Sequence, residues 1–160
     1  MPAPTQPEMS KLADAVAADL RRGVYNQTVI VNRKWDTDVK ISELDICLIT
    51  VSAKGETSGL NARDSLAITT PISIAVRKKL DFAKSEAERE ADIDALAAIL
   101  QQVTYFHACN TPTGRNEQWT GSEMLVLFPL NEARQIDAFM GACEITFETD
   151  CEITPPEMTP

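Results

Sequence analysis

A chain of 160 residues is long enough for one domain that takes about 68–70% of its unfolded surface out of water, so a packed core needs neither metal nor disulfide staples. Hydrophobic residues at 44% and charged residues at 24% exclude the disordered and fibrous classes. Fifteen basic against twenty-four acidic side chains leave a net charge of −9, which repels phosphate and argues against sequence-specific DNA binding.

No stretch approaches the ~20 apolar residues of a membrane-spanning helix. Met1 to Met9 reads MPAPTQPEM, with three prolines and no basic residue, unlike a secretory signal. The expectation is a cytoplasmic protein, in which the Asn26-Gln27-Thr28 sequon carries no meaning. The four cysteines, Cys47, Cys109, Cys143 and Cys151, form no C-x-x-C pair and are read as buried thiols. Cys143 and Cys151 fall on one expected strand, where ~3.3 Å per residue holds them beyond disulfide reach.

In chain order, residues 1–9 are expected to be a flexible segment, and residues 154–160, TPPEMTP, a flexible tail. A single α+β domain is expected over 10–153. Ser10 is the predicted N-cap of a short helix that sets Leu12, Val16 and Leu20 on one face and closes at Arg21, Arg22 and Gly23. The β-branched run Thr28 to Val31 predicts a strand reaching Trp35, and Leu44 to Val51 predicts a second.

Residues 52–66 hold two glycines and three serines and are read as a mobile hairpin loop or arm. From Ala67 to Leu80 the alternation predicts a strand with Ile68, Ile72, Ile74, Val76 and Leu80 on one side and Thr69, Ser73, Arg77 and Lys79 on the other. Pro71 cannot donate a ladder hydrogen bond, which predicts an edge position or a bulge in its first half.

Ser85 and Glu88 have capping-box spacing and open the longest predicted helix, which runs to about His107 with Ile93, Leu96, Ile99, Leu100, Val103 and Phe106 on its apolar face. After a loop through Thr111 to Arg115, the run Met124 to Phe128 is apolar on both faces and predicts a central strand. The last strand, about Gly141 to Glu152, points Cys143, Ile145, Phe147 and Cys151 inward and Glu144, Thr146, Glu148 and Asp150 outward. The order α-β-β-β-α-β-β predicts a mostly antiparallel sheet with its two main helices on one face.

No catalytic, cofactor-binding or metal-ligating residue is assigned. His107, the one histidine, with Cys109 supplies at most two metal ligands and is read as a structural residue at a helix end. The acids Glu86, Glu88, Glu90, Asp92 and Asp94 suit the positive end of a helix dipole and solvation. Arg77, Lys78 and Lys79 alternate across a strand and are read as a solvated edge or ion-pair partners. Neither a Walker A loop nor G-x-G-x-x-G occurs. Trp35 and Trp119 lie near predicted loops, as interface anchors or satellite packing.

The string Val76-Arg77-Lys78-Lys79-Leu80-Asp81, an acidic spacer, and then Asp92-Ile93-Asp94-Ala95-Leu96 with the helix through Phe106 resemble the tail terminator proteins of tailed bacteriophages, also described as tail completion or minor tail protein U-like proteins. The match extends to the opening helix, to the Leu44–Val51 strand with Ala53-Lys54-Gly55 after it, and to Ile145-Thr146-Phe147. The resemblance implies a virion protein of the tail and neck, assembled in the host cytoplasm. It implies a ring, usually of six copies, on the head-proximal end of the tail tube, where it ends polymerisation and meets neck or head-completion proteins. It implies no cofactor, no enzymatic activity and no membrane, and DNA only as a passenger through the channel. Six copies at −9 each would total about −54, a field that keeps DNA from the wall.

Two further readings differ in a testable way. A head-completion or tail-tube-like subunit would form a dodecamer or a long polymer, and a small cytosolic enzyme or ligand-binding domain would depend on His107 and the acidic helix.

Overall fold

The computed structural model describes residues 6–35, 41–62, 65–81, 83–106, 118–127 and 138–152. Among them the elements are α1 (Glu8–Arg21), β1 (Val29–Arg33), a 3-10 turn (Ile41–Asp45), β2 (Cys47–Ala53), β3 (Thr57–Ala62), β4 (Ser65–Lys79), α2 (Glu86–Phe106), β5 (Gln118–Leu127) and β6 (Ala138–Glu152). The strands form one six-stranded sheet in the order β1-β2-β4-β6-β5, with β3 paired to β4. All neighbours run antiparallel except β1 and β2. The fold is α+β.

Both helices lie over one face of this sheet. Leu12, Ala13, Val16, Ala17 and Leu20 of α1 and Leu96, Ile99, Leu100 and Val103 of α2 share a single buried cluster with residues of β2, β4 and β6. The register explains which sheet residues join it. Val51, Ile74 and Cys143 stand side by side across three strands, as do Ala53, Ile72 and Ile145, so the period of two puts every second residue of each strand under the helices. Ile49, Val51, Ile72, Ile74, Val76, Ile145 and Phe147 are all buried.

Several expectations shift. Helix α1 opens two residues before Ser10, after Pro7, whose fixed φ suits a helix entry; Ser10 is buried inside the helix and is not its cap. Met9 packs against the core. Leu44 belongs to the 3-10 turn and not to β2, which starts at Cys47. Residues 52–66 are not a plain loop, since Ser52 and Ala53 finish β2 and Thr57–Ala62 form a strand.

Pro71 is not on an edge: β6 pairs with β4 along its whole length, and β2 and β3 share the other side. The proline sits where β2 has ended, at Ala53 opposite Ile72, and β3 has not begun, at Thr57 opposite Thr69. Lys54 N–H donates to the Pro71 carbonyl at 3.5 Å, so the missing proline N–H faces this interruption. The interruption is the connection Lys54-Gly55-Glu56 between β2 and β3, where Gly55 has φ +123°.

Strand β5 is the outermost strand beyond β6, not a central one. Hydropathy reports cover on a strand's two faces, whereas position in the sheet concerns its two edges. His107, Cys109 and the Thr111–Arg115 loop lie outside the described residues, as does Phe128.

Candidate assembly surfaces

Beyond its last pairing with β2, β4 continues from Pro71 back to Ser65, about 20 Å at the usual rise. From Thr69 to Ser65 β3 flanks it on one side and β6 runs along the other, making a three-stranded arm. By alternation from Ile72 and Ile74, Ile68 and Leu66 fall on the arm's helix-side face, and Leu60 is opposite Leu66. Leu60 is 77% exposed, so no described residue covers it.

Sequence reasoning reached the arm but missed its strand. Ala62 pairs with Ser65, leaving two residues between them, and Arg63-Asp64 lacks the Asn-Gly or Asp-Gly signature that marks such hairpins. Strand β3 itself, TSGLNA, holds one large apolar residue.

Further exposed apolar side chains lie around β1 without forming one patch: Ile30 alternates to the face away from the helices, while Trp35 stacks on Arg33 on the helix side. Ile30 on β1, Ile46 just before β2 and Trp35 just after β1 are 43%, 41% and 55% exposed. The Arg33 guanidinium stacks 5.1 Å from the Trp35 ring centroid and pairs with Asp14 of α1 at 3.0 Å. Arg21 Nε donates to the Val31 carbonyl at 3.1 Å, so α1 guards the backbone of this edge. Trp119 sits on β5 opposite Phe147.

The basic string at the end of β4 separates as the strand period requires. Lys78 Nζ donates to Gln27 Oε1 at 2.6 Å, while Arg77 is opposite Leu48. Asn26, Gln27, Lys78, Lys79, Leu80 and Asp92 line a cleft of about 330 Å³ against α2. Asn26 Nδ2 ties its rim to the Ala95 carbonyl at 3.0 Å. On the same side Lys84 pairs with Asp92 at 3.0 Å, and that hydrogen bond holds its ammonium above the ordinary range. Lys78 and Lys79 beside Asp92 leave this cleft of mixed charge, with no single sign to gather a ligand.

The acidic run occupies the start of α2 as the dipole favours, and Ser85 Oγ accepts from the Glu88 N–H at 3.3 Å. Among the described residues no group of three or more His, Cys, Asp or Glu is placed to hold a metal ion. Cys47 and Cys143 are free buried thiols, and burial pushes each up to about 11. Cys143 and Cys151 do share β6. Among the described residues no helix is long and apolar enough to cross a membrane.

No protein-family model matches this sequence, and no curated protein is significantly similar to it.

Proposed function

We propose that this chain is a structural subunit that works by assembly, as a tail terminator of a tailed bacteriophage: a ring that caps the head-proximal end of the tail tube, stops its growth and offers a surface to neck or head-completion proteins. The observation that carries the reading is the arm. A three-stranded extension with an apolar face and an uncovered Leu60 gains little for an isolated subunit, because exposed apolar surface is stabilised only when something buries it. A ring needs two different complementary patches on each copy, and Leu60 on the arm and Trp35 after β1 are exposed apolar residues on separate parts of one subunit.

The reading assigns no covalent chemistry to any residue, and the protein's partners are other copies of itself, the tail tube protein and the neck. Native mass measurement of the purified chain with negative-stain imaging tests it. A closed annulus, expected at six copies, supports termination, whereas a dodecamer or an open polymer points to a head-completion or tube-like subunit. A stable monomer that turns over or retains a small molecule rejects assembly as the function. Deleting residues 55–63 removes most of β3 and is expected to abolish the ring while the helix-covered core still folds.

A further inference from the structure

Strand β3 caps one edge of β4 with little to hold it there. Among the described strands it pairs with β4 alone. Thr57, Ser58, Gly59 and Leu60 are all exposed, so the pairing rests on the backbone ladder, with little apolar burial behind it. The ladder itself is irregular, with a register shift between Leu60 and Ala62. A β-carbon added at Gly59 would meet nothing within 4 Å, and a glycine inside a strand packs against no neighbour.

The join between β3 and the body is weak as well. Pairing to β4 stops at Ala53 opposite Ile72 and resumes at Thr57 opposite Thr69. Across that gap the Lys54 N–H reaches the Pro71 carbonyl at 3.5 Å, long for a hydrogen bond, and Pro71 has no N–H to return. Gly55 lies in the gap at φ +123° with open space around it. The far end of β3 stays tied to β4, since Ala62 pairs with Ser65 across two residues. Strand β6, by contrast, enters the arm with unbroken pairing to β4 from Lys79 to Ser65.

We infer that β3 is a strap hinged at Lys54-Gly55-Glu56, which swings off β4 by itself while β4 stays paired to β6. Closed, it caps the edge of β4 from Ser65 to Thr69, a stretch holding Leu66, Ile68 and Thr69, and keeps that edge from pairing elsewhere. Open, it uncovers the backbone groups of alternate residues. The Pro71 carbonyl points to the β3 side, so Thr69 and Ala67 direct their N–H and C=O groups to β3, while Thr70 and Ile68 direct theirs to β6. The strap therefore controls whether this edge is available for pairing. The device belongs to the single chain and stands or falls apart from the ring reading.

Amide hydrogen exchange of the full-length chain in dilute solution tests it, resolved residue by residue by mass spectrometry with electron-transfer fragmentation. Thr69 and Ala67 are expected to exchange about tenfold or more faster than Thr70 and Ile68, although all four share one strand. This comparison needs no substitution. A second measurement locks the strap with Ser58→Cys and Ile68→Cys, a pair that faces across β3 and β4 at a position without mutual hydrogen bonds, where α-carbons stand ~4.5 Å apart, within disulfide reach. Cys109→Ser and Cys151→Ser in the same chain leave the new pair without competitors outside the core. Oxidation is expected to slow Thr69 and Ala67 to the rate of Thr70, and a reductant to restore their fast exchange. Equal rates for the two sets in the unaltered chain would mean that β4 leaves both neighbours together or neither, and would overturn the strap. Fast exchange at Thr69 and Ala67 that persists under the disulfide would overturn it too.

Discussion

Leu100 of α2 rests on Gly141 of β6 so closely that a β-carbon added at Gly141 would stand 2.7 Å from Leu100 Cδ2 and 3.1 Å from the Phe139 ring. The missing side chain is what lets the helix approach the sheet at this point. Gly141→Ala is therefore expected to destabilise the fold by about 1–3 kcal/mol through overpacking. Leu100→Ala leaves a cavity at a fully buried site and is expected to cost about 2–5 kcal/mol. Urea unfolding of both and of the double variant checks the contact: the double should cost less than the two singles together, and strict additivity would contradict it.

At the other end of the same helix, the Ser85 hydroxyl accepts from the Glu88 N–H. Ser85→Ala removes that acceptor and is expected to cost about 1 kcal/mol. Ser85→Asp should retain the stability, since a carboxylate caps equally well and suits the dipole. Thermal unfolding in which alanine equals serine would show that the cap contributes nothing.

Gly55 has φ +123° with open space around it, so a substitution there meets backbone strain and no clash. Gly55→Ala is expected to cost on the order of 1 kcal/mol or more, felt mainly by the arm. Hydrogen exchange separates the two regions: amides of β3 should exchange faster while those of β2 and α2 keep their protection. Equal acceleration in all three would mean that the arm and the body open as one unit.

Stability should fall in alkali. Burial raises the Cys47 and Cys143 thiols from 9.0 to about 11, and the Tyr25 phenol, which donates to the Leu20 carbonyl at 2.6 Å, from 10.0 to about 12. On raising the pH the unfolded chain gives up these protons first, so it binds fewer than the folded chain and the slope of stability against pH is negative. The contribution is complete below about pH 9 for the thiols and is lost as pH climbs through about 11, with the phenol following toward 12. Urea midpoints measured up that range should decline, and replacing both thiols by alanine should flatten the first part of the decline. A midpoint unchanged to pH 11 would refute the assignment.

Much of this fold was legible in the residues because periodicity is a local property. The alternation Ile72, Ile74, Val76 and Cys143, Ile145, Phe147 identified the buried faces of β4 and β6, and the 3.6-residue spacing of Leu96, Leu100 and Val103 identified the buried stripe of α2. Each pattern reflects which side of one element meets water, and neighbours within a few residues carry it. Ser85 likewise marked its helix, because a cap is made within one turn.

The errors fall where a choice depends on distant parts of the chain. Apolar residues in β5 were no guide to its place at the end of the sheet, and Pro71 was tolerated inside a central strand because a neighbouring strand happens to break opposite it. The candidate surfaces are of the same kind. Glu123 and Glu144 are far apart in sequence and meet only through the β5–β6 register.

The sequence by itself determined the α+β class, the buried faces of its main elements and an acidic chain with a weakly apolar stretch between two strands, since composition and short-range spacing carry that information. Only the tertiary structure decided that this stretch becomes the edge of a three-stranded arm, and that Glu123 and Glu144 face each other across β5 and β6. Strand order and register bring together residues that no local pattern relates, because pairing is settled by which long-range contacts bury the common core most completely.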